Sequence, residues 1–188
     1  MMSTAILDIP EVRNRLSPFS VEDYHRFSEY NENGRRTELI RGFIIEKMAK
    51  SPLHRTIATR LYRLILSILP AGFIAWKEEP LTLSDSEPEP DLSIARGSEQ
   101  AFENENAKTA LLVVEVAVTS IAEDRALAAV YAEAGIEEYW IVIPRERQIE
   151  VYRQPEAGVY RDVQTIREGV LECASVAGVS VVLDELFG

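Results

Sequence analysis

The stretch LLVVEVAV, residues 111–118, is an almost unbroken apolar run with one glutamate inside it. Such a run fits a central strand covered on both faces, as strands in parallel sheets are. It is followed by IAEDRALAAVYAEAG, an amphipathic helix that ends at Gly135, and then by the apolar strand EEYWIVIP. A strand–helix–strand unit of this length sets two parallel strands side by side through a crossover. The expected class is therefore α/β (or α+β), with helix on at least one face of the sheet.

The rest of the chain supplies further strands and helices. SVEDYHRFSEY opens with Ser20 as an N-cap and Glu22 and Asp23 in the first turn, which predicts a short helix. Residues 1–18 read as an irregular arm and NENGRR as a turn. TELIRGFIIEKM alternates and is β-branched, so it predicts two strands folded at Gly42. PLHRTIATRLYRLILSIL, residues 52–69, is the clearest helix, with Ile57, Leu61, Leu64, Ile65 and Ile68 on one face and Arg55 and Arg63 on the other. GFIAWKEE, PLTLS, PDLSIAR, QIEVYRQ and GVYRDVQTI read as strands, and ASVAGVSVVLDELF as a strand with a short helical end. Trp76 and Trp140 fall at strand positions, as core or interface aromatics. No repeat or low-complexity tract divides the 188 residues, so 1–188 is expected to form a single domain.

Composition narrows the function classes. Apolar residues make up 46% of the chain, enough for a continuous core. The lone Cys173 cannot form an intrachain disulfide. No apolar run approaches the ~18–20 residues a membrane helix needs, and no secretory signal is evident, so a cytoplasmic location is expected. A net charge of −11 argues against nucleic-acid binding. The charge is uneven, however: residues 1–76 hold 11 Lys and Arg against 8 Asp and Glu, and residues 77–188 hold 9 against 23. A basic face on an acidic body is compatible with that split.

Glu115 is the most informative residue. An ionised carboxylate inside a buried strand costs several kcal/mol unless a cation or hydrogen-bond donors compensate it. One compensation is an arginine in a structural ion pair. The other is a hard divalent cation shared with Asp91, which ends the acidic run SDSEPEP and begins the strand DLSIARG. Mg²⁺ takes one or two carboxylates together with water and phosphate oxygens.

With these residues in place, the chain resembles a known family. Pro90–Asp91 followed by Glu115-Val-Ala117 is similar to the PD-(D/E)XK nuclease superfamily. The stretches TELIRGFIIEKMAKSPLHRTIA, EEPLTLSDSEPEPDLSIARG, LLVVEVAVTS and YAEAGIEEYWIVIP resemble the Uma family of restriction-type endonucleases, abundant in cyanobacteria, from about residue 20 to the end. The resemblance implies a restriction-endonuclease-like core, a mixed sheet flanked by helices. It also implies Asp91 and Glu115 as metal-binding catalytic residues, Glu38 as a third site acid, Mg²⁺ (or Mn²⁺) as cofactor and DNA as substrate. Enzymes of this type often pair to cut both strands, so a homodimer is expected.

Two departures from the pattern stand out. The superfamily lysine two residues after the glutamate is Ala117 here. The family lysine four residues before the tyrosine of YAEAG is Leu127, which shares a helical stripe with Val130, Tyr131 and Ala134 and so also reads as core. Arg125 points away from that stripe. Lys77, Lys50 and His54 are the candidate cation or phosphate contacts, with Lys47 and Lys108 as further lysines; each also reads as an ordinary surface or structural residue. Glu79 reads either as a site neighbour or as an exposed charge. Asp85, Glu87 and Glu89 read as solvated turn residues, and His25 has no evident partner. A metal-dependent endonuclease is the first expectation, and a non-catalytic oligomeric binding or regulatory module on the same fold is the second. The third is a structural protein in which Glu115 is only ion-paired.

Overall fold

The structure, a computed structural model, describes residue 6 and residues 9–29 and 36–188. Most of the expected NENGRR turn and much of the N-terminal arm lie outside the described residues. Within the arm, Pro10–Arg13 forms one helical turn, α1, where irregular chain was expected; Pro10 at its start has a preset φ that suits helix. Helix α2, Val21–Glu29, begins as the sequence predicts. The Ser20 hydroxyl accepts from the Asp23 N–H at 3.1 Å, and the Asp23 carboxylate accepts from the Ser20 N–H at 3.1 Å. This reciprocal capping satisfies two of the helix's orphan donors.

Strands β1, Thr37–Ile40, and β2, Phe43–Glu46, pair antiparallel through Arg41 and Gly42. Both turn residues have positive φ, 51° and 77°, as a tight primed hairpin turn demands. A Cβ on Gly42 would also meet the Pro18 Cβ at 2.2 Å, so the position admits only glycine. Helix α3, Pro52–Ile68, follows. Ser51 caps it by accepting from the His54 N–H at 3.2 Å, and Ile57, Ala58, Leu61 and Ile65 face inward.

The main sheet has six strands in the order β3-β4-β5-β6-β7-β8. These are β3 Phe73–Trp76, β4 Leu92–Arg96, β5 Leu112–Val116, β6 Glu138–Ile143, β7 Gln148–Glu156 and β8 Val159–Ile166. Every neighbouring pair is antiparallel except β5 and β6, which are parallel and joined by helix α4, Ile121–Glu133. The expected strand–helix–strand unit is thus the centre of a mixed sheet. PLTLS is not a strand: Leu81 makes a single bridge to Ala107, because Pro80 lacks the N–H a ladder needs. A second two-stranded ribbon pairs β9, Val170–Glu172, with β10, Ser180–Val182, ahead of the short helix α5, Leu183–Phe187. Strand β9 is too short to leave a periodic signal in the sequence.

Alternation divides the sheet's side chains between two apolar clusters. Leu92, Ile94, Leu112, Val114, Val116, Trp140 and Val142 pack with α3. Ala95, Val113, Ala117, Tyr139 and Ile141 pack with Val130 and Tyr131 of α4. Glu115, between Val113 and Ala117, therefore faces α4. Trp140 is fully buried, whereas Trp76 sits at the sheet edge with its ring edge-on to Phe102.

Candidate active site

Strands β4 and β5 set the centre of the site. Leu92 opposes Val114, so the next antiparallel step places Asp91 across from Glu115. The two acids are interlocked through the backbone. Asp91 N–H donates to Glu115 Oε2 at 3.3 Å, and Val116 N–H donates to Asp91 Oδ2 at 2.9 Å. Both face a cleft of about 420 Å³. Its other walls are the link from β2 to α3, the segment before β4, and the first turns of α4.

Two side chains, Lys50 and His54, meet Asp91. Lys50 Nζ donates to Oδ1 at 2.7 Å, and His54 Nε2 lies 2.8 Å from Oδ2. Asp91 is only 5% exposed, and burial opposes its ionisation. His54 and Lys50 outweigh that penalty and hold its carboxyl below the usual range. The His54 Nδ1 is buried with no hydrogen-bond partner among the described residues.

Glu115 is treated differently. Burial first, then the Asp91 and Asp124 charges, push its carboxyl well above the usual value. Tyr131 O–H donates to its Oε1 at 3.0 Å. No arginine side chain bonds to it among the described residues, so the arginine-paired reading of Glu115 does not describe this structure.

Glu38, on β1, lines the same cleft. Its Oε2 accepts from Lys47 Nζ at 3.1 Å, and Lys47 also donates to the Glu89 carbonyl at 2.8 Å. The hairpin β1–β2 brings both groups in, because Leu39 bridges to Glu87 just ahead of β4. Of the residues singled out from the sequence, Asp91, Glu115, Glu38, Lys50 and His54 therefore share one cleft, with Lys47 and Leu127. Lys77 does not line it; its ammonium bonds Glu78 at 2.5 Å. Lys108 pairs with exposed Glu105, and Arg125 with buried Glu150 at 3.0 Å. Glu79 is exposed.

The acidic run needs correction. Asp85 is exposed as expected, but Glu87 is buried. Glu87 Oε2 accepts from Thr82 O–H at 2.6 Å, and its two oxygens lie 2.8 Å from His25 Nε2, which supplies the partner His25 lacked in the sequence. Glu89 is half-buried, with Arg36 at 2.9 Å. These acids are anchored because α2 and the residue before β1, remote in sequence, reach them with His25 and Arg36.

Asp124 is a buried cleft acid that sequence reasoning missed. It lies in the first turn of α4, is buried, and accepts from Ser120 O–H at 2.7 Å. Burial raises its carboxyl to about 6 against the Ser120 bond, with help from the Asp91 and Glu123 charges. The available signal was an acid in a helix first turn directly after the Glu115 strand.

Residues 21–183 match the model of the Uma2 family, described as "Putative restriction endonuclease". The chain belongs to the Uma2 family. The fold is also that of a solved structure from Anabaena variabilis ATCC 29413, titled a putative nuclease belonging to DUF820. The TM-score is 0.74 at 20% identity, covering 90% of this chain and 98% of that one. No curated protein matches. The restriction-endonuclease-like class expected from the sequence thus holds, with six strands and helices on both faces. No helix among the described residues is long and apolar enough to cross a membrane.

The donor set suits a hard cation. Asp91 and Glu115 offer oxygens side by side, and the excess charge between them is part of what raises Glu115. Among the described residues no group of three or more His, Cys, Asp or Glu is arranged to hold a metal ion. Two carboxylates completed by water and phosphate oxygens is the arrangement Mg²⁺ accepts, whereas a closed zinc site needs more protein ligands.

Proposed function

We propose that this Uma2 protein is a divalent-metal-dependent endonuclease that hydrolyses DNA phosphodiester bonds, with Asp91 and Glu115 at its centre. The observation that carries this reading is their opposition across β4 and β5 in an open cleft. Glu115 faces a second acid there and has no arginine partner among the described residues. Asp91 and Glu115 would hold Mg²⁺ or Mn²⁺, which would polarise the scissile phosphate and lower the pKa of an attacking water. The chain's own groups do the rest. The Val116 N–H and His54 fix the Asp91 carboxylate, and Tyr131 orients Glu115. Glu38 and Lys47 brace the wall opposite α4.

DNA as substrate is supported by the outer face of α3. Arg55, Arg60 and Arg63 line a shallow groove with Thr56, Thr59 and Ser67, and the helix contains no acidic residue. In a chain of net charge −11 this is a concentrated basic surface, and it begins at the turn that carries His54 into the cleft. Phosphate binding requires such a cluster and is weakened by salt.

A second reading, a non-catalytic binding module, is favoured by Ala117 and Leu127, which leave both family lysine positions apolar. The test is titration calorimetry with Mg²⁺ and Mn²⁺ beside plasmid nicking, on the parent and on Asp91→Asn/Glu115→Gln. The nuclease reading expects metal binding and nicking by the parent alone. Metal binding without nicking supports the module. Absence of metal binding overturns the metal site.

A further inference from the structure

We infer that Lys50 supplies the ammonium of this site, from the wall opposite α4, in place of the lysines absent at positions 117 and 127. The inference rests on the reading of Asp91 and Glu115 as a phosphodiester-cleaving pair. The chain has four lysines, and three are committed elsewhere. Lys47 is held by Glu38 Oε2 at 3.1 Å, the Glu89 carbonyl at 2.8 Å and the Glu89 carboxylate at 3.7 Å. Lys77 pairs with Glu78 outside the cleft lining, and Lys108 pairs with Glu105 at an exposed site. Lys50 remains, lining the cleft with its side chain 16% exposed and its ammonium 2.7 Å from Asp91 Oδ1.

Its placement is fixed from behind. Lys50 directly precedes Ser51, whose hydroxyl caps α3, and Pro52, which starts the helix. Glu78 Oε1, 3.4 Å from the ammonium, is its second acidic neighbour. Leu127, where the family lysine would stand, lines the same cleft from α4. The cleft can therefore receive a cation from either wall, and in this chain the hairpin side provides it. An ammonium has three donors on a flexible stem, so it can bond Asp91 and a phosphate oxygen together.

The chemistry balances without a proton from Lys50. A water oxygen forms a bond to phosphorus, and the bond from phosphorus to the leaving oxygen breaks. The proton lost by the water and the one gained by the leaving oxygen exchange with solvent. Lys50 donates hydrogen bonds to the non-bridging oxygen on which negative charge grows.

The test compares the parent, Lys50→Met, Leu127→Lys and Lys50→Met/Leu127→Lys by plasmid nicking, Mg²⁺ calorimetry and thermal melting. Lys50→Met should bind Mg²⁺ at least as tightly as the parent, since a competing cation has left Asp91. It should nick about 10²–10³-fold more slowly, and adding Leu127→Lys should restore at least tenfold. If Lys50→Met does not melt cooperatively, Lys50→Gln, which keeps a donor for Asp91, takes its place. Nicking by Lys50→Met at the parent rate overturns the inference. So does slow nicking that Leu127→Lys fails to raise, which would leave Lys50 merely structural. A parent that binds Mg²⁺ but nicks only with Leu127→Lys overturns it and leaves the site reading standing. A parent that neither binds Mg²⁺ nor nicks, with or without Leu127→Lys, overturns the site reading itself.

Discussion

Glu138 and Glu115 sit on neighbouring parallel strands, and Glu138 pairs in register with Leu112, three residues before Glu115. Glu115 interrupts an apolar run and Glu138 begins one, and the protein treats them oppositely. Glu138, 1% exposed, is saturated. Its Oε1 accepts from Trp140 Nε1 at 2.8 Å and Arg153 Nε at 2.9 Å, and its Oε2 from the N–H groups of Ala174 and Ser175 at 2.7 and 3.0 Å. Glu115 has the Tyr131 hydroxyl, a long bond from Asp91, and a like charge beside it. A buried carboxylate surrounded by donors serves the fold, and one left short of them is available for a ligand.

The largest effect should come from removing the saturated acid. Glu138→Ala leaves Arg153 and four other donors, the Cys173 thiol among them, without their acceptor and should cost about 3–5 kcal/mol in urea unfolding. A loss under about 1 kcal/mol would dissolve the distinction. Glu115→Gln should leave stability within about 1 kcal/mol of the parent, or slightly above it, while weakening Mg²⁺ binding at least tenfold by calorimetry. If it destabilises as strongly as Glu138→Ala, both acids are structural.

The pH dependence sharpens the contrast. Asp124 is raised from 3.8 to about 6, so it binds its proton more tightly folded than unfolded. Its stabilising contribution is full below pH ~4 and is lost as pH rises through about 6. Glu115 is raised too, and adds loss in the same direction. Asp91 is lowered and acts oppositely, losing stability as pH falls. Melting temperature followed from pH 4 to 8 should decline less in Asp124→Asn than in the parent; identical profiles would show that Asp124 does not titrate in this window. The smallest change is expected from Tyr131→Phe, about 1 kcal/mol or less for one hydrogen bond. Trp140→Phe removes one donor from a saturated acid and should leave Mg²⁺ binding untouched, whereas Tyr131→Phe should alter it.

Periodicity in the sequence predicts α3, β5, α4 and β6, and the apolar run around Glu115 is enough by itself to mark that residue as unusual. Asp91 follows from its position at a strand start, and its adjacency to Glu115 from the neighbouring strands. What the sequence does not show is pairing between distant segments. His25 with Glu87, Lys50 with Asp91 and Arg153 with Glu138 lie 62, 41 and 15 residues apart, and local pattern carries no record of such contacts. PLTLS misleads because its alternation is that of a strand, although Pro80 and a bridge of one residue keep it outside the ladder. Asp124 escapes notice because a first-turn acid ordinarily serves only its own helix.

The β1–β2 hairpin is hung on the acidic run rather than woven into the main sheet. Leu39 and Glu87 exchange two backbone bonds, at 3.4 and 2.6 Å, and Gly42 N–H reaches the Asp85 carbonyl at 2.9 Å. Few backbone bonds have to break for it to swing, so hydrogen exchange at Leu39 and Gly42 should run ahead of exchange in β5 and β6. In that motion the cleft would open as a jaw. Its floor belongs to the six-strand sheet, and its far wall is tied by three backbone–backbone hydrogen bonds, the Arg41 N–H to Ser86 Oγ bond, and the ion pairs of Arg36 with Glu89 and Arg41 with Glu133.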